Sequence, residues 1–209
     1  LGSGLESDDG YTLEDGYRDL HAGEKRRSTW DDNIAQAERH NQPGTFTTLI
    51  GWEWTSQPGG SNLHRVVFIR EGGEVATRFL PYSTLESDDP EKLWDWLEET
   101  SAAHGASFVA IPHNPNLSMG LMFPLERRDG TPLDAAYARA RARWEPVVEV
   151  TQIKGDSEAH PLLSPTDEFA DYETYNFVIT PEGRTPDPTE GDYVRSGLKR
   201  GLALEAQLG

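Results

Sequence analysis

The chain has 209 residues, of which 36 are acidic and 19 basic, so its formal net charge is −17. This charge repels phosphate at long range and excludes a generic binder of nucleic acid or of anionic membranes. The absence of Cys excludes disulfides, thiolate zinc sites and cysteine nucleophiles. No apolar run approaches the roughly 20 residues that span a bilayer, so we expect a soluble chain that does not bind membranes.

The first 28 residues are polar and rich in glycine, and they predict a mostly irregular N-terminal segment. The chain begins Leu1-Gly2-Ser3-Gly4, with neither an initiator Met nor a leader. We therefore expect a processed or truncated product that could have lost a signal peptide, which leaves the compartment open. A helix is predicted from Ser28 or Thr29 to the stop signal at residues 41–44, and residues 29–209 are expected to form one domain.

Four segments have the composition of strands, and helical patterns separate them. The clearest helix begins at residue 90, with Asp89 as its N-cap, and ends before Gly105. Further helices are predicted from Thr131 to Pro146, over a short acidic stretch after Ser164, and over about residues 191–208. The four predicted strands cover residues 46–54, 63–70, 107–111 and 147–153.

The alternation of strands and helices predicts an α/β fold with a mainly parallel sheet or barrel. A closed (β/α) barrel needs seven or eight strands, and the four found here are too few. The sequence therefore predicts either part of such a barrel or a small open sheet.

Three side chains stand at or near the ends of predicted strands: Glu53, His64 and His113. Ligands gather at the carboxyl ends of strands in parallel sheets, a rule that Glu53 and His113 fit. His64 fits only if its strand begins deeper than the pattern indicates. One carboxylate and two imidazoles form a good ligand set for zinc, manganese or iron.

Each of these residues also has a purely structural interpretation. Glu53, flanked by two Trp, could pair with an Arg across the sheet, because an unpaired buried carboxylate is costly. His64 could be a histidine at a strand edge, and residue logic alone favours that interpretation. His113 begins the polar turn His113-Asn114-Pro115-Asn116 after an apolar strand, a position where loops often hold ligands.

Other candidates are weaker. Lys154 and His160 follow the fourth predicted strand; the Lys could pair with phosphate and the His could act as an acid or a ligand, or both could belong to a solvated loop. Asn62 and Arg65 flank His64 and could orient a substrate anion, as could Asn114 beside His113. No nucleophile elbow, phosphate-binding loop or H-E-x-x-H motif is present.

Several runs together resemble a large uncharacterised bacterial family of the PHP (polymerase and histidinol phosphatase) type. The resemblance spans about residues 29–209. The runs that carry it are GWEWTS at 51–56, GGSNLHR at 59–65, AIPHN at 110–114, EVTQIKGD at 149–156, DEFAD at 167–171 and LKRGLALE at 198–205.

The resemblance implies a distorted seven-stranded (β/α) barrel that carries a metal-dependent phosphoesterase site with two or three ions. It implies that Glu53 is the bridging carboxylate and that His64 and His113 share one ion with it. The ions would lower the pKa of water to about 7 and neutralise the phosphoryl oxygens of a small phosphorylated or anionic ester substrate.

The chain departs from the family pattern because it contains no His-x-His pair and no closing Asp-x-His strand. We therefore expect the middle portion of a PHP-like protein, with an incomplete site and weak or no activity. The alternatives are a PHP-like binding module without catalysis and a hydrolase of another ester, such as a sulfate ester. Unpaired strand edges of a partial barrel would also favour self-association.

Overall fold

The computed structural model describes residues 23–175 and 187–209 of the chain. The chain divides into two compact units, one comprising Leu1–Ile50 and Ile69–Pro81 and the other Gly51–Phe68 and Tyr82–Gly209. Most of the predicted N-terminal segment, residues 1–22, lies outside the described residues.

In the first unit, helix α1 (Gly23–His40) packs beside the short helix α2 (Gly73–Ala76). Trp30 is buried and donates its indole N–H to Ala76 O at 2.9 Å. The helix begins about five residues earlier than predicted. In this helical extension the guanidinium groups of Arg26 and Arg27 donate to the backbone carbonyl oxygens of Pro81 and Thr77, respectively. These hydrogen bonds stabilise the added helical turn.

Three strands form one sheet in the order β1-β2-β3. They are β1 (Ile50–Trp54), β2 (Arg65–Ile69) and β3 (Phe108–Pro112). The first two lie inside predicted strands, and β3 extends one residue beyond the end of its predicted strand. The first strand is shorter than predicted because Phe46 pairs back with Gln42 in an isolated bridge.

Contacts at both ends of the hairpin show that β1 and β2 run in opposite directions. Gly51 lies against Val67, where an added Cβ would be 2.6 Å from the Val67 oxygen, while Leu63 N–H donates to Ser56 O at 3.0 Å. The end of β3 lies beside the beginning of β2, because His113 N–H donates to His64 O at 3.4 Å. The expectation of a mainly parallel sheet is therefore wrong for these strands.

The connection between β1 and β2 explains the direction. It covers residues 55–64 and contains only a 3₁₀ turn at Pro58–Gly60. Parallel neighbours need a crossover of about a dozen residues or more, usually a helix, whereas a short connection folds back as a hairpin.

Helix α3 (Pro90–His104) has the predicted bounds and caps. Asp89 Oδ1 accepts from Glu91 N–H at 3.0 Å, and Gly105 takes the left-handed conformation at φ 71°. Its buried residues Leu93, Trp94 and Leu97 pack into a core with Trp54, Val67, Ala110 and other apolar side chains. The core therefore lies between this helix and the sheet.

Helix α4 (Ala135–Trp144) begins later than predicted, because Asp134 rather than Thr131 is its N-cap. The Asp134 carboxylate accepts from Tyr137 N–H at 2.8 Å. Thr131 is used in the preceding turn, where its hydroxyl and its N–H both donate to Asp129.

The strand predicted at 147–153 is mostly wrong. Only β4 (Thr151–Gln152) forms there, and it pairs antiparallel with β5 (Gly155–Asp156). The chain reverses at Ile153 and Lys154, and the next residue, Gly155, has a φ of 97° that favours glycine. The acidic helix predicted after Ser164 is a series of turns.

The last predicted helix is divided in two. A 3₁₀ turn at Glu190–Asp192 precedes helix α5 (Val194–Leu208), and Tyr193 between them is extended. The described residues form no closed barrel, so the partial barrel remains a prediction. None of the helices in the described ranges has the length and apolar composition needed to cross a bilayer.

Candidate metal centre

Glu53, His64 and His113 meet at one edge of the three-stranded sheet. Glu53 is in β1 near its end, His64 directly precedes β2 and His113 directly follows β3. Because β2 runs opposite to its neighbours, its beginning lies at the same edge as their ends. One potential ligand atom from each residue lies within 4.8 Å of the other two.

A single carboxylate oxygen joins the two imidazoles. Glu53 Oε1 lies 2.9 Å from His113 Nε2, to which it is hydrogen-bonded, and 3.0 Å from His64 Nδ1. The two rings are 5.5 Å apart and nearly perpendicular, at 77°. Glu53 therefore has histidine partners, and an Arg partner across the sheet is not found among the described residues.

The histidine side chains are buried, yet most of their ring nitrogens have no hydrogen-bond partner. Both nitrogens of His64 and Nδ1 of His113 are unpartnered among the described residues. The contact between His64 and Glu53 is close but lacks hydrogen-bond geometry. Buried polar atoms without partners are costly, and a bound cation would give these nitrogens a partner. One carboxylate and two imidazoles are a ligand set that could hold a divalent cation.

Burial lowers the pKa of His64 to about 4, an effect that Glu53 opposes and that His113 and Lys154 reinforce. His64 is therefore neutral near pH 7. A neutral imidazole has a lone pair to offer a metal, whereas a protonated ring has none.

The turn after β3 fixes the position of His113. Asn114 takes the left-handed conformation, with φ 48° and ψ 49°, and begins a 3₁₀ turn at Pro115–Leu117. Leu117 O accepts from Asn62 N–H at 2.9 Å, which ties this turn to the segment that carries His64. The proline-bounded turn thus holds the two histidine-bearing segments together.

Asn62 and Asn114 are both predicted substrate contacts, and both are buried. In the sequence, Asn62 is two residues before His64 and Asn114 directly follows His113. Both amide atoms of Asn114 and Oδ1 of Asn62 have no partner among the described residues. These two residues therefore keep unused hydrogen-bonding capacity, and their assignment as substrate contacts stays a prediction.

Arg65 is located in the core, which corrects its expected role in orienting a substrate. Its side chain is 2% exposed and forms an ion pair with the buried Glu145 carboxylate at 2.9 Å. The same Glu145 oxygen accepts from Trp94 Nε1 at 2.8 Å. An arginine with these partners holds β2 to the helices and is not available to a ligand.

Lys154 occupies the β4–β5 turn, half-buried, and its charge acts on His64. His160, in contrast, is not part of the group of potential ligands among the described residues. Its Nδ1 accepts from Leu162 N–H at 3.2 Å, and its ring lies 5.6 Å from that of Tyr193. The structure therefore brings Lys154, but not His160, towards the cluster.

Asn116 and Glu145 also organise the surroundings of the site, although neither is among the predicted site residues. Asn116 hydrogen-bonds the turn after β3 to the β4–β5 hairpin, and its one signal was its place in that proline-bounded turn. Glu145 neutralises Arg65 although the two residues are 80 positions apart in the chain, and such a pairing has no local signal.

The comparisons with known proteins give a family and nothing beyond it. No curated protein and no solved structure matches the chain. The family described as "Protein of unknown function (DUF3604)" has a model that matches residues 6–209, which is nearly the whole sequence. The chain therefore belongs to the DUF3604 family.

Proposed function

We propose that Glu53, His64 and His113 bind a divalent cation of the zinc, manganese or iron type, and that the protein uses this site to hydrolyse an ester, in the first place a phosphate ester. The observation that carries the proposal is the convergence of one carboxylate and two buried imidazoles whose ligand atoms lie within 4.8 Å of one another. The unpartnered nitrogens of the histidines support it.

A bound cation of this kind would supply Lewis-acid charge at the ester and would lower the pKa of water. The protein's own residues would hold and orient it. The histidine side chains are each 9% exposed and Glu53 is 45% exposed, so the cluster is open to solvent on the Glu53 side. A substrate would approach from that side, while the buried rings keep their orientation.

His64 contributes a ligand that needs no deprotonation near neutral pH. Burial keeps its pKa low, at about 4, so the imidazole competes weakly for protons. The resemblance implies more ligands than these three for a site of two or three ions. We therefore expect these three ligands to bind a cation, and we expect full hydrolytic activity only where the further ligands are also supplied. By itself this chain should hydrolyse esters weakly or not at all.

Calorimetric titration with Mn²⁺ and Zn²⁺ tests the binding step. We expect the wild-type chain to bind one equivalent. Glu53→Gln removes the negative charge and replaces the shared carboxylate oxygen with a weaker amide ligand, and should weaken binding by about 100-fold. Glu99→Gln, at an exposed position of α3, removes the same charge elsewhere and should leave the affinity unchanged.

The absence of stoichiometric cation binding by the wild-type chain would contradict the proposal and favour a binding module without catalysis. If the cation binds, aryl phosphate and aryl sulfate substrates given to the full-length protein identify the ester. Hydrolysis of the sulfate alone would replace the phosphoesterase assignment with a sulfate-ester hydrolase.

A further inference from the structure

Lys154 is a cation in the hairpin that a hydrogen bond joins to the turn after His113, and it has no carboxylate partner among the described residues. It is one residue of the two-residue turn between β4 and β5. No acidic group in the described ranges forms an ion pair with it, although the chain carries a net charge of −17. Other cations in the described ranges, such as Arg195 and Arg127, each contact two carboxylates.

Hydrogen bonds fix this turn against the segment that carries His113. Asn116, three residues after His113, donates its side-chain N–H to Lys154 O at 3.0 Å. Its Oδ1 accepts from Ser157 Oγ at 2.8 Å. One amide therefore holds the hairpin at its turn and just after β5, and the half-buried Lys154 side chain starts from an anchored backbone.

The shape of the turn is also fixed from the other side. Gly155 has a φ of 97°, and a Cβ at this position would lie 2.4 Å from Tyr175 Cβ. Only glycine fits this close approach at a positive φ, so the residue after Lys154 is packed against Tyr175. Lys154 is thus positioned by the fold and is not on a free surface loop.

The position of this charge suits an anion better than it suits the cation alone. A lysine whose charge reaches His64 repels a divalent ion bound there, so it does not serve metal binding. A tetrahedral oxyanion would meet the cation with one oxygen and the ammonium with another. Nδ2 of Asn114, the residue after His113, is buried without a partner among the described residues and is a neutral donor for the same group.

We propose that Lys154 binds a non-bridging oxygen of the substrate, and that the substrate is therefore an anionic ester with a tetrahedral phosphate or sulfate group. This inference rests on the proposed cation site at Glu53, His64 and His113. It adds a specificity residue to that site and excludes neutral carboxylic esters as its preferred substrates.

The test compares Lys154→Gln with Lys199→Gln, which removes the same charge from an exposed position on α5. We expect the Mn²⁺-loaded Lys154→Gln chain to bind inorganic phosphate about tenfold more weakly than wild type, the loss typical of one charge-assisted hydrogen bond. Its affinity for Mn²⁺ itself should stay equal or rise, because a repelling charge is removed. Lys154→Arg should retain phosphate binding, and Lys199→Gln should match wild type.

Two results would overturn the inference. One is unchanged phosphate affinity in Lys154→Gln, and the other is an equal loss of both Mn²⁺ and phosphate affinity, which would show a structural role. Mn²⁺ titration of the wild type tests the cation site separately. If Mn²⁺ does not bind, the same comparison with metal-free protein still decides the role of Lys154. The inference is also overturned if the wild type binds neither phosphate nor sulfate, with or without Mn²⁺. Competition between phosphate and sulfate identifies the preferred group.

Discussion

His64 combines deep burial with ring nitrogens that have no hydrogen-bond partner, and this combination has a consequence for stability as well as for ligation. In the folded chain burial lowers the pKa of His64 to about 4, whereas its ordinary value is 6.5. Between these two values the unfolded chain binds the proton and the folded chain does not. The free energy of unfolding of the metal-free protein should therefore fall as the pH drops from about 6.5 to 4.

This prediction is checked by urea unfolding at pH 7 and pH 5 with wild type and His64→Gln. The wild type should lose more stability on acidification than the variant, because the variant has no proton to take up at this position. An equal loss in both proteins would mean that His64 does not titrate abnormally.

Among the elements, the buried pair of Arg65 and Glu145 connects β2 to the end of α4, and Trp94 joins α3 to the same carboxylate. Burial acts to raise the pKa of Glu145, but Arg65 and Arg141 outweigh it and the pKa is lowered. The carboxylate therefore stays ionised at neutral pH and compensates the buried guanidinium.

Glu145→Gln should lower the free energy of unfolding by about 3 kcal/mol, because it leaves Arg65 buried with one fewer negative partner. Glu98→Gln provides the control, since Glu98 pairs with Arg143 at a position where both side chains are more than half exposed. That exposed pair should contribute less than about 1 kcal/mol. Similar losses in the two variants would contradict the importance assigned to the buried pair.

At the scale of the whole molecule, the net charge of −17 makes the folded state repel itself. Salt screens this repulsion, with a Debye length of about 10 Å at 0.1 M. The melting temperature should therefore rise between low salt and about 0.5 M NaCl. A fall in the melting temperature would show that local ion pairs outweigh the overall repulsion.

Sedimentation at both salt concentrations provides the control, because screening also favours the self-association expected at unpaired strand edges. A rise in melting temperature without a change in mass would assign the effect to the single chain. A rise that accompanies dimer formation would assign it to association instead.

The sequence by itself determined the features that depend on neighbouring residues. The bounds of α3 follow from Asp89, Pro90 and Gly105, because capping and left-handed termination act over one helical turn. The three ligand candidates could be named because residue types that bind metals stood near strand ends. The positions of β2 and β3 also followed from runs of apolar and β-branched residues.

Only the tertiary structure decided which of these residues meet. His64 stands at the beginning of a strand, and only the antiparallel direction of β2 brings it to the same edge as Glu53 and His113. Arg65 is a predicted substrate contact because it follows His64 in the sequence. In the structure it forms a buried ion pair with Glu145, a residue far away in the chain. Strand direction and buried ion pairs depend on hydrogen bonds and charges between residues that are far apart in the chain. Local sequence patterns therefore do not predict them.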